Sequence, residues 1–443
     1  MRGGDAADAS TGTDSLRTAR DEPPPTSGHA RARDEIWRDG LLAGLEPREL
    51  ARTFGTPLYV YDLDALAGRA AHLRAALPGQ VDVAYAVKAN PSLAVIARLA
   101  STGLGADVSS EGELEAALRA GVAPRTIVVT GPGKSDRFLR RAVESGVRAI
   151  AVDSPGEVAR VEAAAKAAGE RARLLFRLAH PGQSFGVSWD DALAAAGHAV
   201  ASEHLEPIGV HAFAVSAVLD HEVLGSHIAR TIDAGRRLAR AAGFSLRIVD
   251  AGGGLGIPYR DGEAPLDLAT FAAAVGRLAA GWNDDPDLRE TRILIEPGRH
   301  LSGPTGAYLA SVIDVKRLDG RHVAVLDGGI NHLLAPALVG RWHRLRLVGS
   351  SPLDLRPLVP VTITGPLCTS LDVIGRPEAL PEPRPGDLVA VLDAGAYGFT
   401  QSMPWFLSHP GPAEVAVSGG RAALIRPRLD PAELLNGQRL PAW

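Results

Sequence analysis

The feature that most constrains the fold is an alternation of short apolar runs with amphipathic stretches, from about Asp62 to Gly303. Apolar runs that are separated by helical stretches predict buried parallel strands. The strand candidates are Val81–Val87, Gly105–Val108, Ile127–Thr130, Ala149–Val152, Arg173–Arg177, Pro207–His211, Ser245–Asp250 and Arg292–Glu296. Helical periodicity marks the intervening stretches, such as Leu93–Ser101, Gly112–Ala120, Ser135–Ser145 and Pro155–Ala168. Eight strand candidates match the number that a closed (β/α)8 barrel requires, so the sequence predicts an α/β fold with a TIM-like barrel.

The pattern changes after about Gly306 to closely spaced Val/Leu runs separated by Gly, Pro and Asp, which predicts an antiparallel, β-barrel-like domain. These runs are Ala307–Lys316, His322–Leu326, Leu358–Gly365, Asp387–Leu392 and Ala413–Val417. The expected domains are therefore a barrel over residues 62–306 and a β domain over residues 307–443. Residues 34–61 contain another strand candidate, Thr56–Tyr61, and are expected to join the β domain. Residues 1–33 are rich in Arg, Asp, Pro, Ser and Thr and predict a disordered tail.

Composition excludes several classes of function. The net charge of −4 and the absence of a dense basic stripe argue against nucleic acid as a partner. No apolar run approaches the roughly 20 residues of a membrane-spanning helix, so a soluble protein without a membrane partner is expected. A single cysteine, Cys368, excludes a disulfide framework and a multi-cysteine metal site, and it fits a reducing cytoplasm. No metal is expected.

Lys88 lies at the end of an apolar strand, in the segment DVAYAVKANP (residues 82–91), just before a turn at Asn90 and Pro91. The carboxyl ends of barrel strands form the active-site face, so this lysine is expected at the barrel mouth. Burial lowers the pKa of an amine and makes it nucleophilic, as formation of a Schiff base requires. A salt-bridged lysine at a strand end fits the same segment equally well.

Two further strand candidates are followed directly by a glycine-rich or a charged segment. Gly252, Gly253 and Gly254 lack side chains that would obstruct a phosphate approaching the backbone N–H groups, although a plain tight turn is an alternative. Glu296 and Arg299, in the sequence EPGR, follow the last barrel strand candidate. The arginine suits a phosphate and the glutamate suits a protonated ring nitrogen, but the two also fit a structural ion pair.

Five segments occur in the order YAVKAN, VDAGGGLGI, EPGRH, GPLC and DAGAY, within a region from about Gly55 to Val417. Their residues and order resemble the fold-type III decarboxylases that depend on pyridoxal 5′-phosphate (PLP), the group that contains diaminopimelate, ornithine and arginine decarboxylases. The resemblance implies a PLP-bearing barrel followed by a β domain, in a head-to-tail homodimer with active sites at the interface. It also implies decarboxylation of an amino acid.

The resemblance also assigns roles to individual residues. Lys88 is implied to carry PLP as a Schiff base, Glu296 to pair with the pyridine nitrogen, and Cys368 of the second subunit to protonate the product, although an inert buried thiol is the alternative for Cys368. The residues implied to bind the phosphate are Gly252, Gly253, Gly254, Ser216, Arg299 and Tyr397. Asp107 and Arg177 end strands that line the same pocket, where an ion pair and a cofactor contact are equally compatible with the sequence.

Several positions depart from the pattern of the family. Phe213 stands where many members have a histidine stacked on the pyridine ring, and Val215 stands at the place of a glycine. An aromatic ring at position 213 is still able to stack, but it donates no hydrogen bond. Thr369 and Ala335 replace the acidic residue and the arginine with which diaminopimelate decarboxylases read the distal end of their substrate. A charged distal group would lack partners there, which argues against diaminopimelate, lysine, ornithine and arginine.

The departures resemble a divergent branch that includes the decarboxylase of carrier-bound glutamate in butirosin-type biosynthesis and exosortase-associated decarboxylases. This resemblance implies Thr369 and Asn331 as substrate contacts, and natural-product biosynthesis with an acyl carrier protein as a partner. A carrier would supply binding energy remotely. The basic run Arg341–Arg346 would suit an acidic carrier, but a solvated strand face is the favoured interpretation of that run.

Three alternatives remain open from the sequence. A diaminopimelate-type decarboxylase of a free amino acid is one. An amino-acid racemase, which shares the barrel and PLP, is another, although Glu296 argues against it because such racemases generally pair the ring nitrogen with arginine. A non-enzymatic homologue that binds a carrier is the third, and the retained Lys88, Glu296, Arg299 and Cys368 argue against it.

Overall fold

The computed structural model describes residues 36–260, 262–348 and 356–443. The predicted tail, residues 1–33, lies outside the described residues. The described chain begins with two short antiparallel strands, β1 (Trp37–Arg38) and β2 (Leu41–Leu42), followed by helix α1 (Pro47–Phe54) and strand β3 (Leu58–Asp62).

Eight parallel strands then close into a barrel. They are β4 (Val81–Ala86), β5 (Gly105–Val108), β6 (Ile127–Val129), β7 (Ala149–Val152), β8 (Ala172–Arg177), β9 (Leu205–His211), β10 (Ile248–Asp250) and β11 (Arg292–Ile295). Neighbours pair in chain order, and β11 pairs with β4 to complete the closure. The predicted TIM-like barrel is confirmed, and each strand overlaps its predicted run.

Helix α2 (Leu63–Ala76) precedes the first barrel strand, and the other helices outside the barrel each follow a barrel strand. These others are α3 (Leu93–Ser101), α4 (Glu111–Arg119), α5 (Asp136–Glu144), α6 (Pro155–Ala168), α7 (Trp189–Ala201), α8 (His221–Ala242) and α9 (Leu268–Leu278). Most of the helices begin at a residue whose side-chain oxygen accepts a hydrogen bond from a backbone N–H of the first turn, which satisfies a donor that the helix leaves free. These caps are Asp62, Ser110, Ser135, Ser154, Ser188, Asp220 and Asp267.

The barrel strands are continuous apolar runs in the sequence because apolar side chains pack on both of their faces. One layer joins the outer faces of the strands to the helices, as Ile127 and Val129 do. The other is a separate cluster of small and branched residues, one or two from each contributing strand: Ala84, Val128, Ala149, Ala151, Leu175, Ile208, Ile248 and Leu294. Strands that are buried on both faces need apolar residues at successive positions, which is what the barrel sequence provides.

After β11 and the short helix α10 (Arg299–Ser302), the chain forms the C-terminal sheet. Its elements are β12 (Gly306–Leu318), β13 (Arg321–Leu326), α11 (Ala335–Val339), β14 (Leu345–Val348), β15 (Leu358–Thr364), β16 (Val373–Pro381), β17 (Leu388–Val391), β18 (Ala413–Ser418) and β19 (Arg421–Arg426). Strand β3 lies between β12 and β18 in this branched sheet. Most pairings are antiparallel as predicted, but β13 with β15 and β18 with β3 are parallel.

Candidate active site

Lys88 lies at the carboxyl end of β4, in a single turn of 3-10 helix. Its Nζ atom donates a hydrogen bond to Oδ2 of Asp107, 2.8 Å away at the end of β5. Thr130, which follows β6, donates to the other oxygen of Asp107. Adjacent strand ends therefore hold the lysine in place at the barrel mouth, where 42 % of its side-chain surface remains accessible.

The electrostatic setting of Lys88 differs from the sequence-based expectation. Burial by itself lowers the pKa of this amine, but the negative charges of Asp107 and Glu296 outweigh that effect and hold the pKa above its ordinary value. The lysine without cofactor is thus a protonated ammonium group. Its nucleophilic form requires loss of the proton or of the neighbouring charge.

A second cluster lies deeper in the mouth and consists of Glu296, His211 and Asp250, all at most 3 % exposed. Burial would raise the pKa of Glu296, but His211 beside it lowers the pKa below its ordinary range, whereas burial and the charge of Glu296 raise the pKa of Asp250 well above its own. Glu296 is therefore the ionised member of the cluster. Its Oε1 atom is buried without a hydrogen-bond partner and fits a cationic N–H donor such as a protonated pyridine nitrogen.

The same three side chains offer atoms within 4.8 Å of one another, close enough to hold a metal ion. The sequence-based expectation of no metal therefore stays a prediction.

The glycine-rich loop after β10 packs tightly against the cluster. A Cβ atom at Gly253 would lie 2.5 Å from the carbonyl oxygen of Glu296, and one at Gly254 would lie 2.9 Å from that of Val215. Gly254 also has φ of +111°, a conformation that L side chains rarely adopt. Only glycine fits these positions, and a loop without side chains is also suited to bring backbone N–H groups close to a phosphate. Phe213 packs on Gly252, and Ser216 is exposed beside this loop.

Arg299 begins α10, and its side chain lies between two tyrosines. It donates a hydrogen bond of 2.8 Å to the hydroxyl of Tyr259, and its guanidinium lies 4.5 Å from the ring centroid of Tyr397. Within the described residues Arg299 forms no ion pair, so the structural Glu296–Arg299 pair weighed from the sequence does not occur. A buried guanidinium without a carboxylate is suited to bind an external anion such as a phosphate.

Tyr397 belongs to a loop of the β domain that is fastened to the Lys88 turn. Its N–H donates to the carbonyl oxygen of Ala89 at 2.7 Å, and the side chain of Asn90 donates to the carbonyl oxygen of Gly395 at 3.1 Å. The β domain therefore contributes directly to the barrel mouth.

Arg177 and Asp107 both form ion pairs, the structural role that the sequence left open. Arg177 pairs with Asp153 at 3.4 Å and stacks on Phe185, whereas Asp107 pairs with Lys88 itself. Contact of either residue with a cofactor stays a prediction.

Cys368 is exposed, which removes the alternative of an inert buried thiol. Its loop is held by Asp372, whose oxygens accept hydrogen bonds from the N–H groups of Leu367 and Ile330 at 2.7 and 2.8 Å. Asp372 thus ties the loop of Cys368 and Thr369 to the loop of Asn331. Asn331 is fully buried, and its amide bonds to Gly329 and His332, so its role as a substrate contact stays a prediction.

The basic run Arg341–Arg346 is not the solvated strand face favoured from the sequence. Arg341 is half-buried, His343 is buried, and Arg344 forms two hydrogen bonds of 2.8 and 2.9 Å with Asp393. The run turns inward because His343 bonds to the carbonyl oxygen of Leu392 and Arg344 bonds to Asp393 of the DAGAY segment.

Sequence reasoning missed Thr130, His211, Asp250 and Tyr259 at the mouth, and Asp372 beside the Cys368 loop. All except Tyr259 and Asp372 lie at or just after the carboxyl end of a barrel strand, a position that signals function in this fold. Tyr259 and Asp372 come from loops and carry no such signal.

Residues 63–303 match the family model described as pyridoxal-dependent decarboxylase, pyridoxal binding domain. This chain belongs to the pyridoxal-dependent decarboxylases. It is 36 % identical to diaminopimelate decarboxylase of Methanothermobacter thermautotrophicus, over 91 % of this chain and 96 % of that protein. It is 31 % identical to L-glutamyl-(BtrI acyl-carrier protein) decarboxylase of Niallia circulans, over 85 % of this chain and 92 % of that protein. The crystal structure of diaminopimelate decarboxylase from M. jannaschii in co-complex with L-lysine superposes with a TM-score of 0.84 at 29 % identity, over 91 % of this chain and 97 % of that one.

This decarboxylase is a PLP-dependent carboxy-lyase, and the site fits PLP. The unpartnered Glu296 oxygen suits the ring nitrogen, the glycine loop and Arg299 suit the phosphate, and Lys88 is placed to bond the aldehyde carbon. The resemblance stated from the sequence is thereby confirmed at the level of family, fold and cofactor. No helix of the described residues is both long and apolar enough to cross a bilayer.

Proposed function

We propose that this decarboxylase removes the α-carboxylate of a free amino acid of the diaminopimelate type, at a site completed by a second subunit. The observation that carries the proposal is the convergence of Lys88, Glu296 and Arg299 at one barrel mouth. Lys88 is oriented by Asp107, Glu296 has a carboxylate oxygen without a hydrogen-bond partner, and Arg299 bonds only to the hydroxyl of Tyr259 among the described side chains. Near-full-length similarity to diaminopimelate decarboxylases supports a free amino acid.

Each residue has a separate task. When bound, PLP supplies an electron-withdrawing ring that accepts the electron pair left as CO₂ departs. Lys88 holds the cofactor at the mouth and gives way to the substrate amine. Glu296 keeps a proton on the ring nitrogen, because its own carboxyl stays ionised in a buried setting. Cys368 of the partner subunit delivers a proton to the α-carbon after the carboxylate has left.

A homodimer is supported by large apolar side chains that are exposed on two segments of the β domain. Leu371 lies on the Cys368 loop, and Trp405 and Leu407 lie on the segment after the DAGAY loop, at 61, 62 and 49 % exposure. Exposed apolar side chains of this size are typical of surfaces that a partner covers. The exposure of Cys368 itself suits a residue that acts in the neighbouring subunit. A cytoplasmic location stays a prediction.

A carrier-tethered substrate is the second candidate. Thr369 and Ala335 lack the charges that diaminopimelate needs at its distal end, and the relative from Niallia circulans is named for a carrier-bound glutamyl group. The expected role in natural-product biosynthesis gains no support from the other relatives, most of which are named diaminopimelate decarboxylases.

A substrate panel tests the proposal. The purified enzyme with PLP is given meso-diaminopimelate, lysine, ornithine, arginine, glutamate and a glutamyl carrier protein, and released CO₂ is trapped for each. Release from a free amino acid supports the proposal, whereas release from the carrier substrate alone supports the second candidate. Chiral analysis of the recovered amino acid detects racemisation, and inverted substrate without CO₂ would overturn both. Mixing inactive Lys88→Ala and Cys368→Ala subunits restores activity only if sites are shared.

A further inference from the structure

Two guanidinium groups meet at one tyrosine beside the site. Arg299 bonds to the hydroxyl of Tyr259, and the guanidinium of Arg341 lies 5.0 Å from the centroid of the same ring. Tyr259 is partly buried, and the ring of His343 meets it edge-on with centroids 5.1 Å apart. The aromatic face offsets part of the cost of holding two cations close together.

Arg341 is presented to this place by a well-fixed loop. Gly340 ends α11 with φ of +61°, and the N–H of Arg341 then donates back to the carbonyl oxygen of Ala335. Beyond Arg341, His343 bonds to the carbonyl oxygen of Leu392 at 2.9 Å, and Arg344 bonds to Asp393 in the DAGAY segment. The position of Arg341 is thus fixed relative to Tyr397, which is on that segment.

Among the residues that the structure describes, neither arginine has a negatively charged partner. Across residues 36–260, 262–348 and 356–443 no carboxylate lies within ion-pair distance of either guanidinium. The guanidinium carbons of Arg299 and Arg341 lie 5.8 and 5.0 Å from the centroid of the Tyr259 ring, and burial together with repulsion from Arg299 lowers the pKa of Arg341 from its ordinary value. Such a pair is stabilised most effectively by an anion between them.

We propose that Arg341 is an anion-binding residue of the active site, which acts with Arg299 on an oxyanion of a bound ligand. Two ligands bring an oxyanion here: the phosphate of the cofactor, and a carboxylate at the distal end of the substrate. The second source rests on the proposed function, whereas the first does not. Arg341 thus provides a cation close to the site, in a chain that has Ala335 at the position where related diaminopimelate decarboxylases have an arginine.

Ligand binding to Arg341→Gln tests the proposal without need for turnover. Apoprotein is titrated with PLP and with pyridoxal, which lacks the phosphate. Holoenzyme is titrated with glutamate and with glutamine, whose side chain is uncharged, and the change in cofactor absorbance is followed. Loss of one charge-assisted contact is expected to weaken binding of the ligand with the additional anionic group, PLP or glutamate, by about ten- to a hundredfold. Binding of pyridoxal or glutamine, which lack that group, should not change.

Weakened PLP with unchanged pyridoxal assigns Arg341 to the phosphate, and weakened glutamate with unchanged glutamine assigns it to the substrate. Either result supports the proposal, and partial recovery in Arg341→Lys separates loss of charge from misfolding. Arg376→Gln is the matched control, because Arg376 is exposed and stacks on Trp342, the next residue of the same loop. Affinities of Arg341→Gln that equal wild type for all four ligands would overturn the proposal, whatever substrate the enzyme decarboxylates.

Discussion

The Nζ atom of Lys88 lies 2.8 Å from Oδ2 of Asp107, so the lysine that we propose to bond the cofactor is held as one half of an ion pair. Asp107 is completely buried, and Glu296 adds a second negative charge near the amine. The amine of Lys88 is therefore protonated before the cofactor binds, and it has to lose this proton before it is able to react with the cofactor.

Asp107→Asn should change the pH at which apoprotein captures PLP. Because the charge of Asp107 raises the pKa of Lys88, its removal lowers that pKa and increases the fraction of free amine at neutral pH. We expect the pH profile of the rate of PLP capture, measured by stopped-flow absorbance, to shift to lower pH than in the wild type. Glu49→Gln, on the exposed surface of α1, is the control. A profile that moves to higher pH would contradict this account.

Glu296→Gln should retain bound PLP but lose activity. The amide is nearly isosteric with the carboxylate, but it no longer favours a proton on the ring nitrogen, so we expect kcat to fall about a hundredfold or more. Cofactor content and kcat are measured on the same preparation. Wild-type kcat in this variant would remove Glu296 from the mechanism.

Gly253→Ala should weaken PLP binding or the fold by about 1–3 kcal/mol, because its Cβ would lie 2.5 Å from the backbone oxygen of Glu296. PLP affinity and urea denaturation measure the two effects. Gly68→Ala is the matched control: the site in α2 is open, and alanine there should stabilise the helix by up to about 1 kcal/mol. Equal behaviour of the two variants would disprove the close approach of the loop.

Acid should destabilise the protein through buried histidines. Burial lowers the pKa of His343 from its ordinary value of 6.5 to about 4, and His332 behaves alike. The neutral form is favoured in the fold, so this stability is present above pH 6.5 and is lost as the pH falls towards 4. We expect His343→Gln to reduce the slope of unfolding free energy against pH in this window by at most about 1.4 kcal/mol per pH unit. Denaturation at pH 7, 6 and 5 measures it, and an unchanged slope would refute the assignment.

The barrel was readable from the sequence because buried parallel strands require apolar residues at successive positions. Gly105–Val108 and Ala149–Val152 were predicted with the same bounds that the structure shows. Strands β14, β16 and β19 were not predicted, since they contain arginine, glutamate or proline and depend on pairing with neighbours that are distant in the chain. The parallel pairing of β18 with β3 joins segments from the two ends of the described chain, which no local pattern encodes.

The sequence by itself determined the cofactor chemistry, because the order of the Lys88, Gly252–Gly254, Glu296 and Cys368 segments identifies the family. Tertiary structure alone decided the electrostatics of the site. The pKa of Lys88 is raised rather than lowered, the pKa of Asp250 is raised while that of the neighbouring Glu296 is lowered, and the guanidinium of Arg341 lies over the ring of Tyr259. The reason is physical: charge interactions depend on distance and burial in the folded chain, and residues far apart in sequence set both.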